Sequence, residues 1–304
     1  SVVGSVSGAQ ADATVGAAYA NTFIEFLVND GATDFVVNDV FDFTTTQSTT
    51  SANDENWTEL YYDDVSANRE LILKGTGLTR LESIYVGFST YQSEGADYYN
   101  LVAASFTGYI AGDAFFSQPG VTYSGVPAHN NRIDYWLSLN GQHIKAALRV
   151  GTPVYESLYV GKFLPYARPS QFPHPIVNCG MLTGAPATRF SDTAHYMPYR
   201  GSRANMKMRD ITGTWVTPAA YPYVNSTSGD ELDLRDTGGY YHLTPVELFD
   251  YDADMWGALD GIFHITGFNN AVENTITIGG IDYIVIQDVY RTGFDDYYAI
   301  RMDL

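Results

Sequence analysis

Over most of the chain apolar positions recur at every second residue or in short runs, broken by Gly, Asp, Asn or Pro. That period predicts strands. In residues 34–43, Phe35 and Val37 alternate with Val36 and Asn38, and Phe41 and Phe43 continue one parity. Further strands are predicted over 57–62, 70–74, 83–89, 98–105, 132–139, 142–150, 274–278, 281–290 and 297–302. Two pairs of these flank tight-turn dipeptides. Asn140-Gly141 and Gly279-Gly280 each predict a two-residue hairpin in which both turn residues take positive φ. One segment has a different period. Tyr19, Phe23, Phe26 and Leu27 fall at i, i+4, i+7 and i+8, behind the N-cap candidates Asp12 and Thr14 and before Gly31. This predicts an N-terminal helix over 13–29.

The pattern lapses in four places. Residues 1–10 are Ser-, Gly- and Val-rich, and 44–56 form a Thr/Ser/Asn loop. Residues 151–175 carry Pro153, Pro165, Pro169, Pro173 and Pro175, which predicts an extended path over a surface, since proline breaks sheet ladders. Residues 181–222 read as an irregular arm. Prolines and glycines in 116–128 mark a domain boundary. The expected fold is mainly β: two β-sandwich or jelly-roll-like modules, residues 1–125 and 126–304, with one N-terminal α-helix and long irregular arms.

A length of 304 residues with 45% hydrophobic side chains provides a sizeable core. Sixteen basic against 35 acidic residues give a net charge of −19. That disfavours nucleic acid and anionic lipid as partners, since both demand a Lys/Arg surplus. No apolar run reaches the length of a membrane helix, and the first thirty residues lack the basic start of a secretory signal. The single cysteine, Cys179, excludes an intrachain disulfide, which suits synthesis in the cytoplasm. Charge is unevenly spread. Residues 1–125 hold 3 basic and 16 acidic residues, 126–220 hold 10 and 4, and 221–304 hold 3 and 15. A basic middle between acidic ends fits complementarity within one molecule, or contacts between copies.

Candidate chemistry is sparse. There is no nucleophile elbow, phosphate loop, dinucleotide fingerprint or His-Glu-x-x-His. His129, His143, His174, His195, His242 and His264 are scattered, without metal-helix spacing. Cys179 reads as a small buried thiol. Asp250, Asp252 and Asp254 resemble half of a calcium loop, but Met255 and Gly261 stand where an EF-hand needs Gly and Glu. The adjacent acids Asp63-Asp64 and Asp295-Asp296 would point to opposite faces of a strand and cannot work on one substrate. No catalytic residue, metal ligand or cofactor is nominated. Four tyrosine doublets stand out among 24 tyrosines: Tyr61-Tyr62, Tyr98-Tyr99, Tyr240-Tyr241 and Tyr297-Tyr298. On a strand each sends one ring inward and one outward, where it can pack on a neighbouring subunit or stack a sugar.

Several strings together resemble a group of tailed-bacteriophage virion structural proteins. They are LILKGTGL at 71–78, ESIYVGF at 82–88, DYYN at 97–100, FTGY at 106–109 and QPG at 118–120. DYWLSLNG at 134–141, VYESLYVGKFLPY at 154–166, FPHP at 172–175 and YIVIQDVYRTG at 283–293 continue the likeness, which is absent from 184–222. The resemblance implies fold and membership and carries over no catalytic residue. It implies a structural role in the tail, neck or baseplate, with localisation to the virion after synthesis in the host cytoplasm. Partners would be copies of the chain and other virion proteins: tail tube, neck, baseplate or capsid. Candidate interface residues are Tyr155, Tyr159, Tyr166, Arg168, Arg189, Arg200, Arg203 and Arg209. The alternative is a decoration or receptor-binding protein whose tyrosines take a host glycan. An enzyme ranks last, for want of a carboxylate pair.

Overall fold

The computed structural model describes residues 57–76, 83–93, 98–129, 132–151, 154–182, 197–200, 205–223, 241–250, 254–287 and 296–302, with the backbone of 3–4, 23–27 and 40–44. The chain is mainly antiparallel β. The first sheet is a meander whose neighbours follow chain order: β4 (Thr58–Asp63), β5 (Glu70–Thr76), β6 (Ser83–Ser93), β7 (Tyr98–Phe106) and β8 (Thr122–Pro127). The middle sheet orders β1 (Val3–Gly4), β9 (Asp134–Leu139), β10 (His143–Arg149), β11 (Tyr155–Lys162), β13 (Ile176–Cys179), β14 (Met206–Arg209) and β15 (Trp215–Val216). In the third, β16 (Ala219–Tyr221), β17 (Thr244–Phe249) and β18 (Met255–His264) lead to β21 (Tyr297–Arg301), β20 (Ile281–Gln287) and β19 (Thr275–Ile278). The two-residue β12 (Leu164–Pro165) joins it along β18.

Alternation within the middle sheet explains how the three sheets stack. On β11, Leu158 and Val160 pack with Leu73, Val86, Ala103 and Val126 of the first sheet. Tyr155 and Tyr159 point the other way and pack with Leu248, Leu259, Ile262 and Ile300 of the third. On β9, Leu137 and Leu139 share the first core while Trp136 lies in the second. The middle sheet is therefore buried on both faces, and all eight residues of β11 are buried. The passage between residues 127 and 134, near the sequence-based boundary, is where the chain leaves the first sheet for the middle one.

Polar groups lock the layers where apolar side chains give out. Asn178 donates to the Ala103 carbonyl at 3.0 Å and meets the Ser124 hydroxyl at 3.0 Å, joining β13 to the first sheet. The Met181 and Leu182 amides both donate to the Gly125 carbonyl at 2.9 Å. Trp57 closes the near end, its indole N–H donating to Asn140 O at 2.6 Å. Buried polar groups placed this way are satisfied, as a dry interior requires.

Three expectations about secondary-structure elements need correction. The N-terminal helix is not seen: Phe23–Leu27 is strand β2, paired antiparallel with β3, Val40–Thr44. Phe-Ile-Glu-Phe-Leu is an aromatic and β-branched run, and its apparent helical stripe is too short to outweigh a partner strand. The rest of 13–29 lies outside the described residues. The second correction concerns 151–175, which contains β11, a strand buried at all eight residues. No proline falls between Pro153 and Pro165, so β11 forms between them. The third is the arm 181–222, whose described part includes β14, β15 and β16.

Both hairpins form, by different means. At Gly279-Gly280 both residues have positive φ, 62° and 84°, and Ile278 pairs with Ile281. At 140–143 neither Asn140 nor Gly141 takes positive φ. Asn140 opens the turn instead, and its side-chain oxygen accepts from the Gln142 and His143 amides at 2.9 and 3.0 Å.

Candidate functional site

Chemistry-bearing side chains gather at the seam between the middle and third sheets. His143 and Lys145, two apart on β10, face the third sheet and are nearly fully buried. The Lys145 ammonium donates to the Asp260 carbonyl at 3.1 Å and lies 3.3 Å from His143 Nε2. His143 Nδ1 is 3.8 Å from the Asp260 carboxylate, and the ring stacks on Tyr159 at 5.1 Å. Burial, then Lys145 and Arg301, push the imidazole well below its ordinary pKa, so it stays neutral. At the end of β10, Arg149 pairs with Asp134 and, at 2.6 Å, with Glu273. Tyr155 donates to the same Glu273 oxygen at 2.8 Å. Burial beside that carboxylate raises the Tyr155 phenol to about 12. These groups tie two sheets together.

Other candidates resolve into core or surface. Cys179 is fully buried, and burial raises its thiol far from reactive values. His264 is buried with its ring edge-on to Tyr223 at 5.4 Å. Asp250 and Asp254 close the β17–β18 turn, where the Asp254 amide donates to Asp250 Oδ1 at 3.0 Å; Asp252 lies outside the described residues. Among the described residues no group of three or more His, Cys, Asp or Glu is placed to hold a metal ion.

The candidate interface residues divide by burial. Tyr155 and Tyr159 are 4% and 0% exposed, so their rings belong to the core between the middle and third sheets. Tyr166 is 56% exposed. Arg168 is exposed, and its carbonyl accepts from the Gln171 and Phe172 amides. Arg200 and Arg209 are half-buried. Arg200 donates to Tyr223 O, and Arg209 donates to Gly213 O and lies over the Trp215 ring at 5.9 Å. Arg189 and Arg203 lie outside the described residues.

Around Tyr166 the structure assembles a surface patch that sequence reasoning missed. Leu164, Ala258, Glu247 and Tyr221 are register partners across β12, β18, β17 and β16, so their side chains share one face. Val246 and Leu248 on β17 point into the core, so that face is the outer one. Leu164, Tyr166, Tyr221 and Met255 are four of the ten exposed large hydrophobic residues among those described. Tyr166 donates to Glu247, and burial beside that carboxylate raises its phenol to about 12. The signal available in sequence was strand parity: Glu247 sits between the core residues Val246 and Leu248. Chemically, the patch offers aromatic rings and one carboxylate to a partner surface.

Neither protein-family models nor curated proteins provide a match to this chain.

Proposed function

We propose that this chain is a structural subunit of a tailed-bacteriophage particle, in the tail, neck or baseplate, and works through contacts with copies of itself and other virion proteins. The observation that carries the reading is the outer patch of Leu164, Tyr166, Tyr221 and Met255 around Glu247. Exposed aromatic and Met side chains gathered on one sheet face are what subunit contacts use. The strings that resemble virion proteins support it from another side. Their described parts fall largely on β5, β6, β7, β9, β11 and β20 and on the turn at Gln118, whose side chain bonds Ile110 and Asp113. These are residues that build the fold. Histidine, lysine and tyrosine groups at the inner seam are engaged in joining sheets, which suits a body that bears load between neighbours.

Mass spectrometry of gradient-purified particles tests the proposal, with reconstruction of their density to place the chain. The expected result is a fixed copy number in tail, neck or baseplate. Absence of the chain from purified particles refutes it. The same patch could take a host glycan; sugar binding by the isolated protein, with particles forming normally when the gene is deleted, would favour that second reading.

A further inference from the structure

Five of the six outer edges of the three main sheets are blunted. β1, β15 and β16 are two or three residues long, and Pro222 follows β16. β4 carries Glu59 and Asp63 and a register shift between Glu59 and Tyr61. β8 is met along its outer side by Leu182 through Gly125. Native sheets protect edges by such means, because an open edge recruits other strands. The edge at β19 is four residues long and lacks the other devices: it reads Thr-Ile-Thr-Ile, with no charge, no proline and no bulge, and among the described residues no strand pairs with its outer side. Ile278 is 46% exposed.

The register shows which backbone groups face out. The two-residue turn makes Ile278 and Ile281 a hydrogen-bonded pair, so Ile276 with Tyr283 is the next. The Val285 amide donating to Asn274 O at 2.9 Å continues the same parity. Thr275 and Thr277 therefore turn their N–H and C=O groups away from β20. We propose that β19 pairs antiparallel with β19 of a second copy about a two-fold axis, extending the third sheet across two subunits. The strand is self-complementary in that register. Thr275 meets Thr277 of the other copy in hydrogen-bonded pairs, and Ile276 meets Ile276 on the axis. Thr–Thr and Ile–Ile are favourable cross-strand pairs. The charge on the neighbouring strand is Asp282, opposite Thr277. Across β20, β19 and their mates the two aspartates stand three strand spacings apart, about 14 Å, beyond the screening length of about 10 Å at 0.1 M salt. The contact is small, so it is weak alone and gains from repetition in an assembly. The inference rests on the assembly reading above for its purpose, though not for its geometry.

The test uses the full chain with Ile276→Cys. On the axis the two thiols sit opposite one another in a non-hydrogen-bonded pair, within reach of a disulfide, whereas Ile278→Cys in the same register faces residue 274. Native Cys179 is buried and stays out of the reaction. Mild oxidation is expected to give a covalent dimer from Ile276→Cys and monomer from Ile278→Cys. Thr277→Pro removes an outward amide donor and keeps the backbone bonds to β20; it also loses the Thr277 hydroxyl bond to Asp282 at 2.6 Å, for which Thr277→Val, expected to self-associate as the parent does, is the control. The proline variant should weaken self-association in sedimentation equilibrium about thirtyfold, as two backbone bonds per dimer are lost. Equal cross-linking of both cysteine variants, or self-association unchanged in Thr277→Pro, overturns the proposal. So does failure of Ile276→Cys to cross-link with its circular dichroism intact. A chain found in purified particles but unable to cross-link refutes this edge contact alone. A cross-linking chain absent from particles refutes the virion reading alone.

Discussion

Raising the pH should unfold this protein through its buried tyrosines, and two fully buried ones make a part of the effect that can be worked out separately. Tyr159 donates to Lys162 O at 2.6 Å and Tyr199 to Leu158 O at 3.3 Å, and both are 0% exposed. Burial holds both phenols well above their ordinary pKa. In the unfolded chain tyrosine ionises near pH 10. Above that pH the unfolded state sheds protons that the folded state keeps, so stability falls as pH rises; below it nothing is lost. Each such group contributes a slope of about 1.4 kcal/mol per pH unit. The pair thus removes about 2.8 kcal/mol by pH 11 and about 5.5 by pH 12, against a typical total stability of about 5–15 kcal/mol. Urea denaturation at pH 9, 10 and 11, with phenolate absorbance at 295 nm, measures the slope. The double variant Tyr159→Phe, Tyr199→Phe should be less stable at pH 7 by about 1 kcal/mol for each lost bond. Between pH 10 and 11 it should lose about 2 kcal/mol less than the parent. An unchanged slope in that variant would refute the reasoning, as would complete, reversible ionisation of all 24 tyrosines at pH 11 with unaltered circular dichroism.

Gly257→Ala would place a methyl 2.8 Å from Pro165 Cα, and closer still to the Leu164 carbonyl, where β12 crosses β18. It should cost about 3 kcal/mol or more by displacing backbone, read as a lower urea midpoint. Phe163→Ala empties a fully buried site that packs on Phe172 at 5.5 Å, and should cost about 3–5 kcal/mol by thermal melting. Arg149→Ala breaks the partly exposed pairs to Asp134 and Glu273; a loss of about 1 kcal/mol that shrinks in high salt is expected. Tyr166→Ala with Tyr221→Ala should leave the melting temperature within about 2 °C, since surface changes rarely exceed 0.5 kcal/mol, but lower incorporation into particles. Wild-type incorporation would remove the outer patch from the contact surface.

Strand content was legible because period-2 alternation is a local property. The predicted 57–62, 70–74 and 98–105 lie within one to two residues of β4, β5 and β7, and Gly279-Gly280 turns as its composition demands. Where one face is core and the other wet, polar residues mark the outward parity. That signal disappears in β11, where Tyr-Glu-Ser-Leu-Tyr-Val-Gly-Lys is buried throughout and neither face reads as solvent. Flanking prolines then dominated the reading of 151–175. The misplaced helix at Phe23–Leu27 has the same origin, since a five-residue apolar run carries too few positions to separate the two periods. The two tyrosine doublets whose side chains are both described behave as alternation requires: Tyr61 is 40% exposed while Tyr62 packs on the first core, and Tyr298 is fully buried beside a half-buried Tyr297. The outer patch was invisible because its members come from four strands. Only register brings Leu164, Tyr221 and Glu247 into one row.

The charge pattern follows from the layering. Among the described side chains, residues 57–125 around the first sheet hold 5 acidic and 2 basic groups, 126–220, mostly the middle sheet, hold 3 and 8, and 221–302, mostly the third, hold 7 and 1. Sheets pack about 10 Å apart, so the two acidic layers stand about 20 Å from each other. At a screening length of about 10 Å their repulsion is largely lost, while each lies within reach of the basic layer between them. The ion pair of Arg149 with Glu273 at the seam is of this kind. A middle layer buried on both faces has little open edge at which to place cations. Those not used internally are pushed to its margin, where Lys207 donates to Thr217 at 2.7 Å and Arg209 covers Trp215. Intramolecular complementarity therefore accounts for the central part of the basic block. Contacts between copies have to draw on the margin and on the third sheet's outer face and edge, where Tyr166 and Ile278 are exposed.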